Sequence, residues 1–420
     1  MSRQPHLGRR MDSTLGGALV AIASLVFPLA TAAQEAAAAR TPRTLTQLEL
    51  SVFAARDRSA IPASPNGGFR ANLRHLLSGE RIHLDLALST QARRENGGAL
   101  AAHDQRGYVN VRMALSRRTM LVVGQSVAFS PYYDPGTLGG GQDPTGGASV
   151  PAAGLGALDR STLATSTLAR VTQQLSRRSV VAAGYSFDRV WFPGSGGGAV
   201  SHRASLRFDR ALERNLDLRL RYKLVRAETD IRRGTTQELE AGIAYRPRSL
   251  RGTTLFAAIA PTLSSQRDSG TVVTRISAGA FTLGGIVGVE RRLAGGWEAA
   301  LGYRRSVYYL RGTAEAVGAD TIDGRLRRHL GRGVEISLTL SASLGKPTLT
   351  DAAVRLSSLG AVGMARVPLS NNVFVDAEYR LEQYSLGPDS GASESPLGRS
   401  RLQVGITVVP GRSTRSSRES

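Results

Sequence analysis

The sequence predicts an all-β chain that closes into a single antiparallel barrel of about eighteen strands (16–18). Three observations predict it: apolar residues alternate with polar or charged residues, the alternating segments are long, and the breaks between them are short and long in turn. Residues 216–224 show the alternation, with Leu216, Leu218, Leu220, Tyr222 and Leu224 separated by Asp217, Arg219, Arg221 and Lys223. In a strand, such a segment is apolar on one face and charged on the other.

Residues 1–32 have the pattern of a secretory signal peptide. A basic start with Arg3, Arg9 and Arg10 precedes the apolar run LGGALVAIASLVFPLA, and residues 30–32 (Ala-Thr-Ala) supply a small-residue cleavage site. An N-terminal membrane anchor is the alternative. We expect export, followed by a short periplasmic segment at residues 33–44. Beyond residue 32 no apolar run reaches the eighteen or so residues of a membrane helix.

The composition excludes several kinds of site. The 420 residues include no cysteine, which removes disulfides, thiolate metal sites and cysteine nucleophiles. The formal net charge is +21, and arginine supplies nearly all of it because Lys223 and Lys346 are the only lysines. This arginine content indicates either a coding bias or a surface that binds carboxylates and phosphates. Nucleic acid is not an expected partner, since the arginines are spread through strands and turns without a basic helix.

The alternating segments, taken in chain order, predict strands near 45–57, 67–77, 80–94, 105–116, 118–131, 160–175, 178–192, 199–211, 214–229, 236–246, 252–265, 276–291, 296–311, 319–330, 333–346, 353–367, 371–386 and 397–409. Most successive short, basic breaks lie about 36 to 39 residues apart, which indicates a repeated hairpin. The other breaks are longer and rich in Gly, Pro, Asp and Ser. The longest, residues 131–157, is expected to be either an inward-folded constriction or a mobile outer loop. The predicted barrel spans 45–410, and an Arg/Ser-rich periplasmic tail follows at 411–420.

Long strands, alternating turn lengths and a charged second face favour a barrel whose apolar face meets lipid over a soluble sandwich. In these features the chain resembles bacterial outer-membrane β-barrels of the porin-like kind. The resemblance implies location in the outer membrane, with membrane lipid and the barrel-assembly machinery as partners. One departure concerns the last strand, which ends Val408-Val409-Pro410 instead of closing on an aromatic residue.

The charged face is expected to line a lumen. Its predicted pore-lining cations are Arg112, Arg203, Arg207, Arg219, Arg221, Lys223, Arg380, Arg399 and Arg401, and Arg70 and Arg74 are further inward cations elsewhere in the barrel. Arginine-lined pores select anions, so we expect passive passage of small anionic solutes. Asp85, Asp209, Asp217, Glu335, Asp376, Glu378 and Glu382 are also predicted to face inward, where they could instead pair with the arginines into a structural ladder.

The sequence is also compatible with two other functions. An arginine-rich barrel of this size resembles alginate-export barrels, and its repeated S-R-R turns resemble those of barrels associated with exopolysaccharide secretion. This implies an export pore for an acidic polysaccharide. The remaining alternative is a non-conducting structural barrel of the envelope.

Aromatic girdles should flank the lipid band. The predicted members are Trp191, Tyr245, Trp297, Tyr309 and Tyr379, with Tyr108 as a further candidate. Arg305 breaks the outward apolar register of its strand, which either a bulge or proximity to the rim would explain.

No enzyme, metal site or cofactor is expected. The histidines show neither H-x-x-x-H nor H-E-x-x-H spacing, and the chain contains no P-loop and no G-x-S-x-G motif.

Overall fold

The computed structural model describes residues 43–57, 65–94, 100–130, 162–192, 197–230, 232–268, 276–310, 315–349, 354–388 and 397–409. The predicted signal peptide, the periplasmic segment up to residue 42, the loop at 131–157 and the C-terminal tail lie outside these residues. Within them, no helix is both long and apolar enough to cross a membrane. The same part of the chain holds no cluster of three or more His, Asp or Glu side chains arranged to bind a metal ion.

Eighteen strands form the wall, which confirms the predicted fold class. In chain order they are β1 (Arg43–Asp57), β2 (Pro65–Ser78), β3 (Ile82–Arg94), β4 (Leu100–Ala114), β5 (Thr119–Ser130), β6 (Thr162–Ser176), β7 (Ser179–Trp191), β8 (Gly198–Ala211), β9 (Leu216–Thr229), β10 (Arg232–Tyr245), β11 (Thr253–Asp268), β12 (Ile276–Leu293), β13 (Trp297–Leu310), β14 (Glu315–Leu330), β15 (Val334–Pro347), β16 (Val354–Pro368), β17 (Val373–Pro388) and β18 (Leu397–Val408).

Each strand pairs antiparallel with its neighbours in the chain, and β1 pairs with both β2 and β18. The sheet therefore closes without an edge. At the closing seam, the Gln403 side-chain amide of β18 donates to the Ser51 hydroxyl of β1 at 2.9 Å on the inner face. Closure pairs the backbone groups of the wall, which is the condition for strands to cross a bilayer.

The outer face carries the large apolar side chains that alternation predicts. Ile259, Phe281, Leu340 and Leu402 are all between 49% and 65% exposed. Large apolar side chains in contact with solvent around a whole closed wall would be unfavourable in water, whereas in a bilayer they contact lipid.

The short turns share one local device. In three of them a serine hydroxyl accepts a hydrogen bond from the backbone N–H two residues on: Ser116 from Arg118, Ser176 from Arg178 and Ser370 from Asn372. This side-chain contact fixes a tight turn locally. It explains why the S-R-R sequence recurs between alternating segments.

Three strands begin four or five residues earlier than predicted, each on the side of the longer loops. Strand β4 begins at Leu100, not near 105, because the pairing with β3 continues past a register shift beyond the Gln91–Asp104 pair. Strand β10 begins at Arg232, not near 236, and strand β14 begins at Glu315, not near 319. The added residues do not alternate regularly between apolar and polar, so the sequence pattern did not predict them.

The outer end of β13 separates from β12, and β14 stays paired with both β13 and β15. Pairing of β12 with β13 ends at Gly285 and Arg305, whereas β13 and β14 remain paired with each other up to Leu310 and Glu315. Both strands contact β11, and β14 also contacts β10, although neither is paired with them. Four strands at about 4.8 Å would put β14 roughly 19 Å from β10 along an undistorted wall. The ends of these two strands, residues 306–310 and 315–319, therefore lie inside the barrel; we call them the inner flap.

Placing a charge on the lipid face should destabilise the barrel much more than placing it one residue away on the inner face. We expect Leu340→Arg to lower the free energy of unfolding by roughly 2–4 kcal/mol. Thr339→Arg, on the exposed inner face, should change it by less than about 1 kcal/mol. Urea titration in detergent micelles, with folded barrel detected by the heat-sensitive gel shift, measures both. Equal effects would contradict the assignment of faces.

Candidate functional site: the lumen

The register places the predicted cations of β8 and β9 on the inner face. Arg203, Arg207, Arg219, Arg221 and Lys223 share that face with their cross-strand partners. Leu220 and Tyr222, between them in sequence, are 38% and 40% exposed on the outer face.

Most of these cations are paired with carboxylates. Asp209 lies 2.6 Å from Arg207 and 3.1 Å from Arg219. Glu240 lies 4.0 Å from Arg221, and Glu238 lies 3.9 Å from Lys223.

Glu238 and Glu240 are buried, at 7% and 5% exposure respectively. Both alternate with the outward residues Leu239, Ala241 and Ile243, so the strand pattern places them on the inner face. Neither is among the inward-facing carboxylates that were predicted from the sequence. We call the paired surface of β8–β10 the paired wall.

The cations of β16–β18 are also engaged. Arg366 lies 2.5 Å from Asp376, and Arg380 lies 3.2 Å from Glu378 and 3.7 Å from Glu382. Arg401 donates to Gln403 at 2.7 Å and stacks over the Phe53 ring at 4.3 Å. Arg399 lies outside the residues whose side chains the structure describes.

Other lumen charges have no ion pair within the described residues. The cations are Arg106, Arg112, Arg203, Arg304 and Arg325, and the carboxylates are Asp104, Asp188, Glu290 and Asp323. Both signs therefore line the lumen, and the positive net charge of the chain does not by itself set the sign of the field inside.

A cavity of about 230 Å³ lies on the inner face of β2–β4. Its lining residues are Arg70, Ala87, Ser89, Gln91, Asp104, Arg106 and Tyr108. The register puts Arg70, Gln91 and Asp104 in one row across the three strands, and Ser89 opposite Arg106 in the next row. Two guanidinium groups thus face the same small space.

The residues around this cavity hold its shape. Arg74 binds Asp85 through two hydrogen bonds of 2.9 and 2.6 Å, and the Tyr108 hydroxyl lies 3.3 Å from the same carboxylate. Arg70 donates to the Gln91 side chain at 3.2 Å. Tyr108 therefore faces the lumen and is not a girdle residue, because its register partner Ala87 lies on the inner face.

The inner flap covers part of the lumen opposite this cavity in strand order. Val307, Ala316, Val317 and Ala319 are nearly inaccessible, at 0–2% exposure. The Tyr309 ring lies against Gly234 of β10, where a Cβ atom would collide with the ring. Tyr309 is therefore not a girdle residue: the end of its strand has separated from β12, and the ring packs against the inside of β10.

The other predicted girdle residues face outward. Arg189 stacks over Trp191 at 4.0 Å near the outer loops, and Arg328 lies 5.1 Å from the Trp297 ring beside a short turn. Tyr245 ends β10 and is 40% exposed. Tyr379, 49% exposed, lies near the middle of β17 and not at a strand end.

Arg305 faces outward opposite Asp320, with Nε at 4.0 Å from the carboxylate, and the Tyr303 hydroxyl donates to the same carboxylate at 2.6 Å. The register between β12 and β13 is continuous up to Arg305, so no bulge explains its position. Arg305 instead marks the point at which β13 separates from β12.

No protein-family model matches the sequence. No curated protein matches it either. Solved structures show a similar architecture. OpdO of Pseudomonas aeruginosa is 15% identical, with a TM-score of 0.47 over 88% of this chain and 98% of that one. OccAB2 of Acinetobacter baumannii is 12% identical, with a TM-score of 0.48 over 88% and 98%. OpdK of Pseudomonas aeruginosa, solved with vanillate, is 13% identical, with a TM-score of 0.47 over 87% and 98%.

Removing a buried carboxylate from the paired wall should destabilise the barrel. Glu238→Gln leaves Lys223 without its carboxylate partner, and we expect the free energy of unfolding to fall by about 1–3 kcal/mol. The matched control is Glu298→Gln, whose partner Arg292 is 82% exposed. Glu298→Gln should lower the free energy of unfolding by less than about 1 kcal/mol. Urea titration compares the two, and equal losses would show that the wall is not specially dependent on its pairing.

The structure is thus a closed antiparallel β-barrel of eighteen strands, with large apolar side chains on its outer face and charges of both signs on its inner face.

Proposed function

We propose that the barrel is an outer-membrane channel for small anionic solutes, and that its selectivity arises locally, at the guanidinium groups of the β2–β4 cavity. The observation that carries the proposal is this cavity, where Arg70 and Arg106 face the lumen and neither makes an ion pair with a described residue. Guanidinium groups that keep free donors on a concave wall concentrate anions and bind carboxylates or phosphates.

The position of the β2–β4 cavity around the ring of strands supports the same proposal. The inner flap contacts β10 and β11, so the passage beside it runs along the other strands, which include β2–β4. The paired wall lies next to the flap and contributes mostly neutralised charge. A solute crossing the barrel beside β2–β4 would therefore meet Arg70, Arg106 and Arg112, which make no ion pair with a described residue.

The flap also bears on solute size. A folded hairpin inside the lumen narrows an eighteen-stranded barrel that would otherwise leave a wide aqueous channel. This favours small solutes over a polysaccharide chain. Within the described residues, no feature favours the export alternative.

A non-conducting structural barrel is the second candidate. The ion-paired side chains of β8–β10 and the buried flap favour it, because both resemble a packed interior more than an open pore. In that case the arginines would stabilise the wall and carry no selectivity. We propose no catalytic role for either candidate.

The first test is conductance of the purified, folded barrel in a planar bilayer under a salt gradient. We expect a stable current whose reversal potential is displaced toward the anion. Arg106→Gln should reduce the ratio of anion to cation permeability by about twofold or more, since it removes a cation from the passage. The control is Arg292→Gln, which removes an exposed cation beside the short turn at residues 294–296 and should change the permeability ratio little.

A folded barrel that never conducts would overturn the channel and favour the structural candidate. A current with unchanged selectivity in Arg106→Gln would show that the selective charges lie elsewhere.

The flap generates a separate prediction. Tyr309→Ala removes the ring that packs against Gly234, so the flap should leave β10 more often and single-channel conductance should rise by about twofold or more. The control is Tyr303→Ala, which removes an outward-facing aromatic ring from the same strand and should leave conductance unchanged. Unchanged conductance in Tyr309→Ala would indicate that the flap does not limit the passage.

A further inference from the structure

The β2–β4 cavity contains a carboxylate beside its two guanidinium groups. Asp104 lies in the same row as Arg70, and on the same face of β4 as Arg106, two residues away. We infer that this cavity is a binding site for a small zwitterion that bears both a carboxylate and an ammonium group. The inference rests on the proposed role of the lumen as a solute passage, and it goes beyond anionic solutes to one that carries both charges.

The two charges of the cavity do not neutralise each other. Gln91, 4% exposed, occupies the strand between Arg70 and Asp104 and accepts the hydrogen bond that Arg70 donates. No ion pair joins Asp104 to Arg70 or Arg106, although all three line one space. The cavity therefore presents separate positive and negative ends, about two strand spacings apart between Arg70 and Asp104, or roughly 10 Å between their backbones.

Two buried atoms are left without partners. Arg70 Nε and Asp104 Oδ1 are inaccessible to solvent and make no hydrogen bond within the described residues. Buried polar groups are nearly always satisfied, and leaving a charged one unpaired costs more than leaving a neutral one. The charge of each group is shared with its other atoms, so a ligand carboxylate would accept from the guanidinium N–H groups that line the cavity, and a ligand ammonium group would donate to the Asp104 carboxylate from the same side.

Carboxylates near Arg70 are already engaged elsewhere. Glu49 accepts a hydrogen bond from Asn72 at 3.0 Å, and Glu378 lies 3.2 Å from Arg380. The field of both carboxylates reaches Arg70, yet neither makes an ion pair with it. The anion-binding capacity of Arg70 is therefore directed into the cavity.

The size and the apolar part of the lining limit the ligand. The cavity volume of about 230 Å³ is below the usual range for drug-sized ligands, about 300–1,000 Å³. Ala87 and the Tyr108 ring supply apolar surface beside the charged groups. A free amino acid with a medium-sized apolar side chain has the matching charges and size.

Three probes of nearly the same shape separate the contributions. Leucine carries both charges, 4-methylpentanoate lacks the ammonium group, and 3-methylbutylamine lacks the carboxylate. Affinities for the folded barrel in detergent can be measured by ligand-observed NMR titration. We expect leucine to bind at least about tenfold more tightly than either analogue, because each charged contact is worth about that factor or more.

Two substitutions assign the ends of the site. Asp104→Asn should bring leucine to the affinity of 4-methylpentanoate and leave that analogue almost unchanged. Arg70→Gln should weaken leucine and 4-methylpentanoate alike. Asp188→Asn, at another lumen carboxylate without an ion pair within the described residues, is the matched control and should alter neither affinity. The heat-sensitive gel shift shows whether each variant is folded.

The outcomes separate this inference from the proposed function. If 4-methylpentanoate binds as tightly as leucine, or if Asp104→Asn leaves their ratio unchanged, the site is a simple anion site and the zwitterion inference is wrong. If none of the probes binds a barrel that conducts with anion preference, the cavity holds only water and the proposed function stands. A barrel that does not conduct overturns the proposed function whatever the probes do.

Discussion

The whole structure depends on one constraint: every backbone N–H and C=O that crosses the lipid must be hydrogen-bonded within the protein. A closed antiparallel sheet meets this constraint because β1 pairs with both β2 and β18 and leaves no edge. Closure in turn fixes the side chains, since alternate residues must face lipid or lumen for the full length of each strand. The charged inner face of β9 is thus a consequence of the same pairing that exposes Leu220 and Tyr222 outside.

The constraint is relaxed only where water or protein replaces lipid. Strand β13 gives up its pairing with β12 beyond Arg305, and its end lies inside the barrel as the inner flap. Val307 and Val317 bury apolar surface there, which stabilises the inward position.

The hydroxyls of Ser264 and Tyr308 are buried without partners within the described residues, which destabilises the inward position of the flap. Because these contributions oppose each other, we expect the free energy that holds the flap in its inward position to be small.

Sequence alone predicted the wall closely because its signal is local. In a strand with one face toward lipid and one toward water, apolar and polar residues must alternate. Segments such as 216–224 and 397–409 therefore predict both a strand and which of its side chains point outward. The short turns were predictable for the same reason, since Ser116 and Ser176 fix them through contacts two residues away.

The features that sequence analysis missed depend on distant partners. Tyr309 alternates like a lipid-facing residue, and only the separation of β13 from β12 places its ring against Gly234. Tyr108 has the composition of a girdle residue, yet the register with Ala87 turns it inward. The β2–β4 cavity likewise needs three strands in one register, and its outer edge lies beside the register shift after Gln91 and Asp104. No short segment contains that information.

Charge is the property for which composition is least informative about this barrel. The chain is strongly basic, yet Asp209, Glu238 and Glu240 pair with four of the five predicted pore-lining cations of β8 and β9. A solute in the lumen responds to charges within about a Debye length, roughly 8 Å at physiological ionic strength, and paired charges largely cancel over that distance. In the proposed channel, selectivity would therefore depend on the groups left unpaired and on whether the passage runs past them. In the described part of the lumen, β2–β4 bring such groups of both signs into one cavity, and for this reason we infer a bound solute that carries two charges.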